Sequence, residues 1–176
     1  MKSLFKIFVF FIVLHIGQGL NAQSNKVKWL SWEEAIEKSK VQKKKIFVDI
    51  YTDWCGYCKK MDKATFQQQD IANYINENFY AVKFNAEQRK SIELNGQIYK
   101  FKAAGRKGYH ELAFNLTRGK LSYPTIVFLD EEMKIIQPIP GFQDPKSFEL
   151  IMTYFSEDHH KITPWKKYVS TFSSKL

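Results

Sequence analysis

The first apolar stretch, Ile7 to Ile16, is continuous rather than periodic. It follows a basic start at Lys2 and Lys6 and runs into small and polar residues from Gly17 to Ala22. That order describes a secretory leader over residues 1–22, with cleavage expected after Ala22 although Leu20 is bulky for its place. A membrane span needs about 20 apolar residues, and this run reaches roughly half that before Gly17 and Gln18 interrupt it. An uncleaved anchor is the competing reading. No cysteine follows the cleavage site to take a lipid.

Beyond the leader the pattern becomes periodic. Ser31-Trp32-Glu33-Glu34 has the form of a capping box, and Trp32, Ala35 and Ile36 share one face of the helix it opens. That helix runs out in the lysine-rich stretch to Lys45. Ile46 to Tyr51 is β-branched and aromatic without alternation, as expected of a central strand covered on both faces. A helix is expected from Cys55 to about residue 64. Asp70 caps the next, with Ile71, Tyr74, Ile75 and Phe79 along one side. Tyr80 to Phe84 follows as a strand, and the strand-helix-strand order predicts a right-handed crossover and a parallel pair.

Asn95-Gly96, between Ser91–Leu94 and Gln97–Phe101, predicts a hairpin, and His110 to Leu116 a helix ending near Gly119. Thr125–Leu129 and Met133–Ile136 read as antiparallel strands across a turn at Asp130 to Glu132, with Gly141 breaking the chain. Asp144-Pro145 opens an amphipathic helix carrying Phe148, Ile151, Met152 and Phe155 on its core face. Thr163 to Phe172 is expected to be an aromatic tail. The whole predicts an α/β fold, one domain over 23–176, with a C-terminal tail from 157 to 176.

Composition agrees with one packed core: 44% of the 176 residues are hydrophobic and 16% aromatic. The formal charge is +9, and loss of Lys2 and Lys6 with the leader lowers it to +7. A basic protein attracts nucleic acid, anionic lipid or acidic partners. The lysines are scattered in short groups with acids between them, and an export leader argues further against nucleic acid.

Only two cysteines are present, Cys55 and Cys58. A crosslink stabilises by closing a long loop, and this pair closes almost none, so its purpose is chemical. Cys55 opens a helix, where the N-terminal dipole and unpaired amides favour a thiolate. Cys58 lies one turn further on the same face, placed to resolve a mixed disulfide formed at Cys55. Half of a zinc site is the competing reading, but there is no second CxxC to complete four ligands, and His159 and His160 are distant in sequence. No metal, flavin or other cofactor is expected. Asp49 lies inside an apolar strand, where burial is costly unless the carboxyl is paired or neutral.

The segment from Val48 to Lys59, reading Val-Asp-Ile-Tyr-Thr-Asp-Trp-Cys-Gly-Tyr-Cys-Lys, resembles the active-site segment of the thioredoxin superfamily. The likeness extends to Tyr123-Pro124-Thr125, similar to the family's cis-proline segment, and to Gly141. It covers residues 29 to 156 and is greatest for thioredoxin-like proteins of bacterial envelopes, including periplasmic domains of electron-relay reductases. The resemblance implies a thioredoxin-like fold, a central mixed β-sheet flanked by helices. It implies a catalytic pair Cys55 and Cys58, with Asp49 as buried proton acceptor for Cys58 and Lys83 as its supporting lysine. Trp54, Gly56, Tyr57, Tyr123 and Pro124 would meet the substrate, the Tyr123 backbone binding an extended chain. The stretch 86–122 is longer than a minimal thioredoxin has there and carries Lys100, Lys102, Arg106 and Lys107; it is either a partner-selecting loop or a solvated insertion.

These features predict a periplasmic or otherwise exported thiol-disulfide oxidoreductase working as a reductase. Its substrates would be disulfide-containing envelope proteins and its electron donor an upstream protein dithiol. A disulfide oxidase or isomerase, which the Gly56-Tyr57 dipeptide does not exclude, and a non-catalytic partner-binding module are the alternatives.

Overall fold

The computed structural model describes residues 26–105, 107–174 and 176; the proposed leader and Arg106 lie outside the described residues. Five strands form one sheet in the order β1-β3-β2-β8-β9. At its centre is β2, Lys45–Tyr51, the unalternating apolar run, buried along nearly its whole length. It pairs in parallel with β3, Phe79–Asn85, and antiparallel with β8, Thr125–Leu129. The edges are β1, Trp29–Leu30, parallel to β3, and β9, Ile135–Pro140, antiparallel to β8.

Each sheet face carries its own core. On one, Phe47, Phe79 and Phe128 meet α3, Gln69–Asn78, and α5, Pro145–Ser156. On the other, Ile46, Val48, Ile50 and Val127 meet α1, Trp32–Val41, and α4, Glu111–Leu116. Alternation along β2 divides Phe47 and Asp49 from Ile46, Val48 and Ile50.

The expected caps are present: Ser31 and Glu34 form the reciprocal box on α1, and Asp144 accepts from Ser147 N–H with Pro145 at the first helical turn. Others differ. Asp70 is not the cap of α3, which Gln68 precedes; Asp70 lies in the first turn instead. The helix after the cysteines splits into α2, Gly56–Met61, and a π-helical turn, Asp62–Phe66. β9 begins later than Met133, because Met133 takes a left-handed φ of 62° in the turn that Asp130 holds by accepting from Glu132 and Lys134 N–H. Pro138 and Pro140 are tolerated because β9 is an edge.

The stretch 86–122 contains two hairpins rather than one. β4, Ile92–Leu94, and β5, Gln97–Tyr99, turn on Asn95-Gly96, both with positive φ as a two-residue hairpin turn requires. β6, Phe101–Ala104, and β7, Lys107–His110, make a second, followed by α4. The expected tail is helical and packed: α6, His159–Ile162, and α7, Trp165–Thr171, bring Tyr168 into the core, where its hydroxyl meets Thr153 Oγ1 at 2.8 Å. Among the described residues no helix is long and apolar enough to cross a membrane.

Candidate active site

The site forms where β2 leaves the sheet. Cys55 N–H donates to Thr52 carbonyl at 3.1 Å, turning the chain, and Cys55 then caps α2 with its sulfur accepting from Cys58 N–H at 3.1 Å. A hydrogen bond and helix dipole aimed at that sulfur favour its anionic form. The two cysteines are joined as a disulfide with Cα atoms 5.3 Å apart, and they are 5% and 3% exposed. Gly56 opens α2 in free space, while Tyr57 extends into solvent, 64% exposed.

On the strand that leads to them, Asp49 is 1% exposed, on the sheet face shared with Phe47. Parallel register sets Lys83 of β3 beside it, and Lys83 Nζ donates to Asp49 Oδ2 at 2.6 Å. The same ammonium donates to Asp62 Oδ1 and lies over the rings of Trp29, Tyr51 and Phe66. Asp49 Oδ1 is buried with no hydrogen-bond partner. Burial pushes the Asp49 carboxyl up to about 6; Lys83 opposes that and Asp62 reinforces it. For Lys83, burial lowers the pKa, but the two carboxylates outweigh it and the net direction is upward.

Pro124 is buried and follows a cis peptide bond from Tyr123. Because Thr125 pairs with Ile50, Pro124 lies beside the segment where β2 departs for Cys55. Pro124 carbonyl accepts from Gly141 N–H at 2.8 Å, which ties in the glycine beyond β9. Tyr123 meets Trp54 edge to face, ring centroids 5.9 Å apart. Trp54 is 56% exposed, yet its Nε1–H donates to both oxygens of Glu87 at 3.0 Å.

The structure thus gathers Trp54, Cys55, Gly56, Cys58, Tyr123 and Pro124 at one end of the sheet, with Asp49 and Lys83 paired across β2 and β3. Sequence reasoning missed Asp62 and Glu87. Asp62 had a signal, since it stands four residues after Cys58 on one helical face. Glu87 had none, because only folding brings it to Trp54.

A mixed sheet of this order, with a CxxC disulfide capping the helix that follows its central strand, defines a protein of thioredoxin architecture. A family model described as a thioredoxin-like domain matches residues 32–156, and the chain belongs to that family. Spermatogenesis-associated protein 20 of Rattus norvegicus is 34% identical over 70 residues, 39% of this chain and 9% of that protein. Thiol:disulfide interchange protein DsbD of Actinobacillus pleuropneumoniae is 28% identical over 109 residues, 61% of this chain and 15% of that protein. A solved thioredoxin-fold protein from Helicobacter pylori superposes with a TM-score of 0.54 at 20% identity, covering 73% of this chain and 79% of its own. This chain spans less than a fifth of the length of the first curated relatives it matches.

Proposed function

We propose that the chain is an exported protein-disulfide reductase: a leader over residues 1–22, then a single catalytic domain over 23–176. The observation that carries this reading is the Cys55–Cys58 disulfide at the start of α2, the helix that follows a central strand bearing a buried carboxyl, Asp49, with one unpartnered oxygen. In the reduced protein, Cys55 thiolate attacks one sulfur of a substrate disulfide. The substrate S–S bond breaks and one substrate thiolate leaves. Asp49 takes the proton of Cys58, whose thiolate attacks Cys55 Sγ, releasing the second substrate thiolate and closing the protein disulfide. Two electrons pass to the substrate, and an upstream protein dithiol restores the pair.

A group titrating near 6 is matched to moving a proton at neutral pH. Lys83 holds Asp49 ionisable in a dry setting, while Trp54, Gly56, Tyr57, Tyr123 and Pro124 form the surface on which the substrate chain lies. Export fits the apolar leader, and similarity to the thiol:disulfide interchange protein DsbD accords with disulfide exchange.

Insulin reduction driven by dithiothreitol tests this. The protein lacking residues 1–22 should accelerate it, Cys55→Ser should abolish the acceleration, and Cys58→Ser should accumulate a mixed disulfide on Cys55. Indistinguishable rates for wild type and Cys55→Ser would contradict the reading.

A further inference from the structure

The second hairpin, β6–β7, has no part in the exchange chemistry, yet it is built with care and reaches the site. Its register places Ala103 opposite Gly108 and Phe101 opposite His110. The Phe101 ring lies across Gly108: a Cβ there would stand 2.1 Å from Phe101 Cζ and 2.5 Å from Lys102 carbonyl oxygen. Arg89 covers the same ring, its guanidinium 4.5 Å from the centroid. Arg89, Phe101 and Gly108 are therefore stacked, and the stack fixes the hairpin's direction. That direction delivers Lys107 to Trp54, with the ammonium 4.5 Å from the indole ring centroid. Trp54 adjoins Cys55, so a cation supplied from more than 50 residues downstream stands at the rim of the disulfide.

The groove between the hairpin and Trp54 is lined by Asp53, Glu87, Arg89 and Lys107, two acids and two bases. Their capacity for a ligand is unequal. Both oxygens of Glu87 accept from Trp54, and Asp53 accepts from the Asn85 side-chain amide at 3.1 Å. Lys107 and Arg89 rest on aromatic faces, and among the described residues neither forms an ion pair with a carboxylate. An incoming carboxylate finds donors on Lys107 and Arg89 that hold no carboxylate, whereas Glu87 already accepts from Trp54 and one oxygen of Asp53 from Asn85. The chain's overall positive charge favours approach of the same kind of partner.

Resting on the oxidoreductase reading, we infer that Lys107 is a specificity-determining residue, selecting protein disulfides flanked by an acidic extended segment. The carboxylate of that segment binds over Trp54 while the disulfide meets Cys55. Such an ion pair is partly exposed, so its effect is modest and is screened by salt.

The experiment compares kcat/KM of the reduced, full-domain protein for two peptide disulfides that differ only in an Asp or a Lys flanking the cysteine. Wild type should prefer the Asp peptide by about threefold to tenfold at low ionic strength, for paired against like charge, and by much less at 1 M salt. Lys107→Gln should bring the ratio toward one, Lys107→Glu should reverse it, and Lys107→Arg should keep it. Since the readout is a ratio within one protein, a partly unfolded variant lowers both rates and leaves it unmoved. An equal Asp preference in wild type and Lys107→Gln would overturn this inference alone. Failure of wild type to turn over either peptide would overturn the oxidoreductase reading together with it.

Discussion

Asp49 is where the chemistry and the stability of this protein oppose each other. Its carboxyl titrates near 3.8 in an unfolded chain and about 6 when folded, chiefly because burial strips it of water. Below pH 3.8 it is neutral in both states and costs nothing. As pH rises toward 6 the unfolded chain ionises first, so the folded state loses ground, by about 3 kcal/mol once both are ionised. Asp49→Asn should therefore stabilise the oxidised protein by roughly 1–3 kcal/mol at pH 7.5 and scarcely at pH 4. Denaturant unfolding at the two pH values measures this, and a gain that does not grow with pH would contradict the burial account. The oddity of Asp49 was legible in the sequence as an acid inside an apolar strand, and the cysteines were legible by spacing. The weight of Asp62 was not, because it arises from sharing the Lys83 ammonium with Asp49 across two elements.

At the scale of elements, His110 shows how the insertion is anchored. It is fully buried, its Nδ1 accepts from Leu112 N–H at 3.2 Å to cap α4, and Nε2 lies 3.0 Å from Lys90 carbonyl. Those two bonds require the neutral ring with its proton on Nε2, and burial holds its pKa below the usual value. The sign follows: above the unfolded value of about 6.5 the contribution is complete, and it is lost as pH falls below that, when the unfolded chain takes the proton first. His110→Ala should cost about 1–3 kcal/mol at pH 7.5 through the lost cap and packing, measured by thermal unfolding, with a smaller cost at pH 5. Equal cost at both pH values would contradict this role.

The helix over residues 111–116 was legible to within a residue, as was the first hairpin from Asn95-Gly96. The second hairpin was not read because Phe101 to His110 does not alternate, although Gly105, with a φ of 59°, was a turn signal between Ala104 and Lys107. The last helix was read as a tail because Trp165 and Tyr168 meet Tyr154 of α5 only once the chain has folded.

On the scale of the whole molecule, a five-stranded sheet with a separate apolar core on each face gives β2 and β8 a rigid setting, and their ends carry the disulfide and Pro124. The α/β class was legible because β2 and β8 are mostly apolar without alternation, a pattern that a doubly covered sheet accepts. The packing of residues 157–172 against α5 was not, since it depends on contacts such as Tyr154 hydroxyl to Thr163 carbonyl at 2.7 Å. The direction of electron flow depends on the relative stability of dithiol and disulfide. The equilibrium reduction potential of Cys55 and Cys58, measured in dithiothreitol or glutathione buffers, tests the central claim most directly. A reductase should lie close to about −270 mV, whereas a value near about −120 mV would mark an oxidant and contradict the proposed direction.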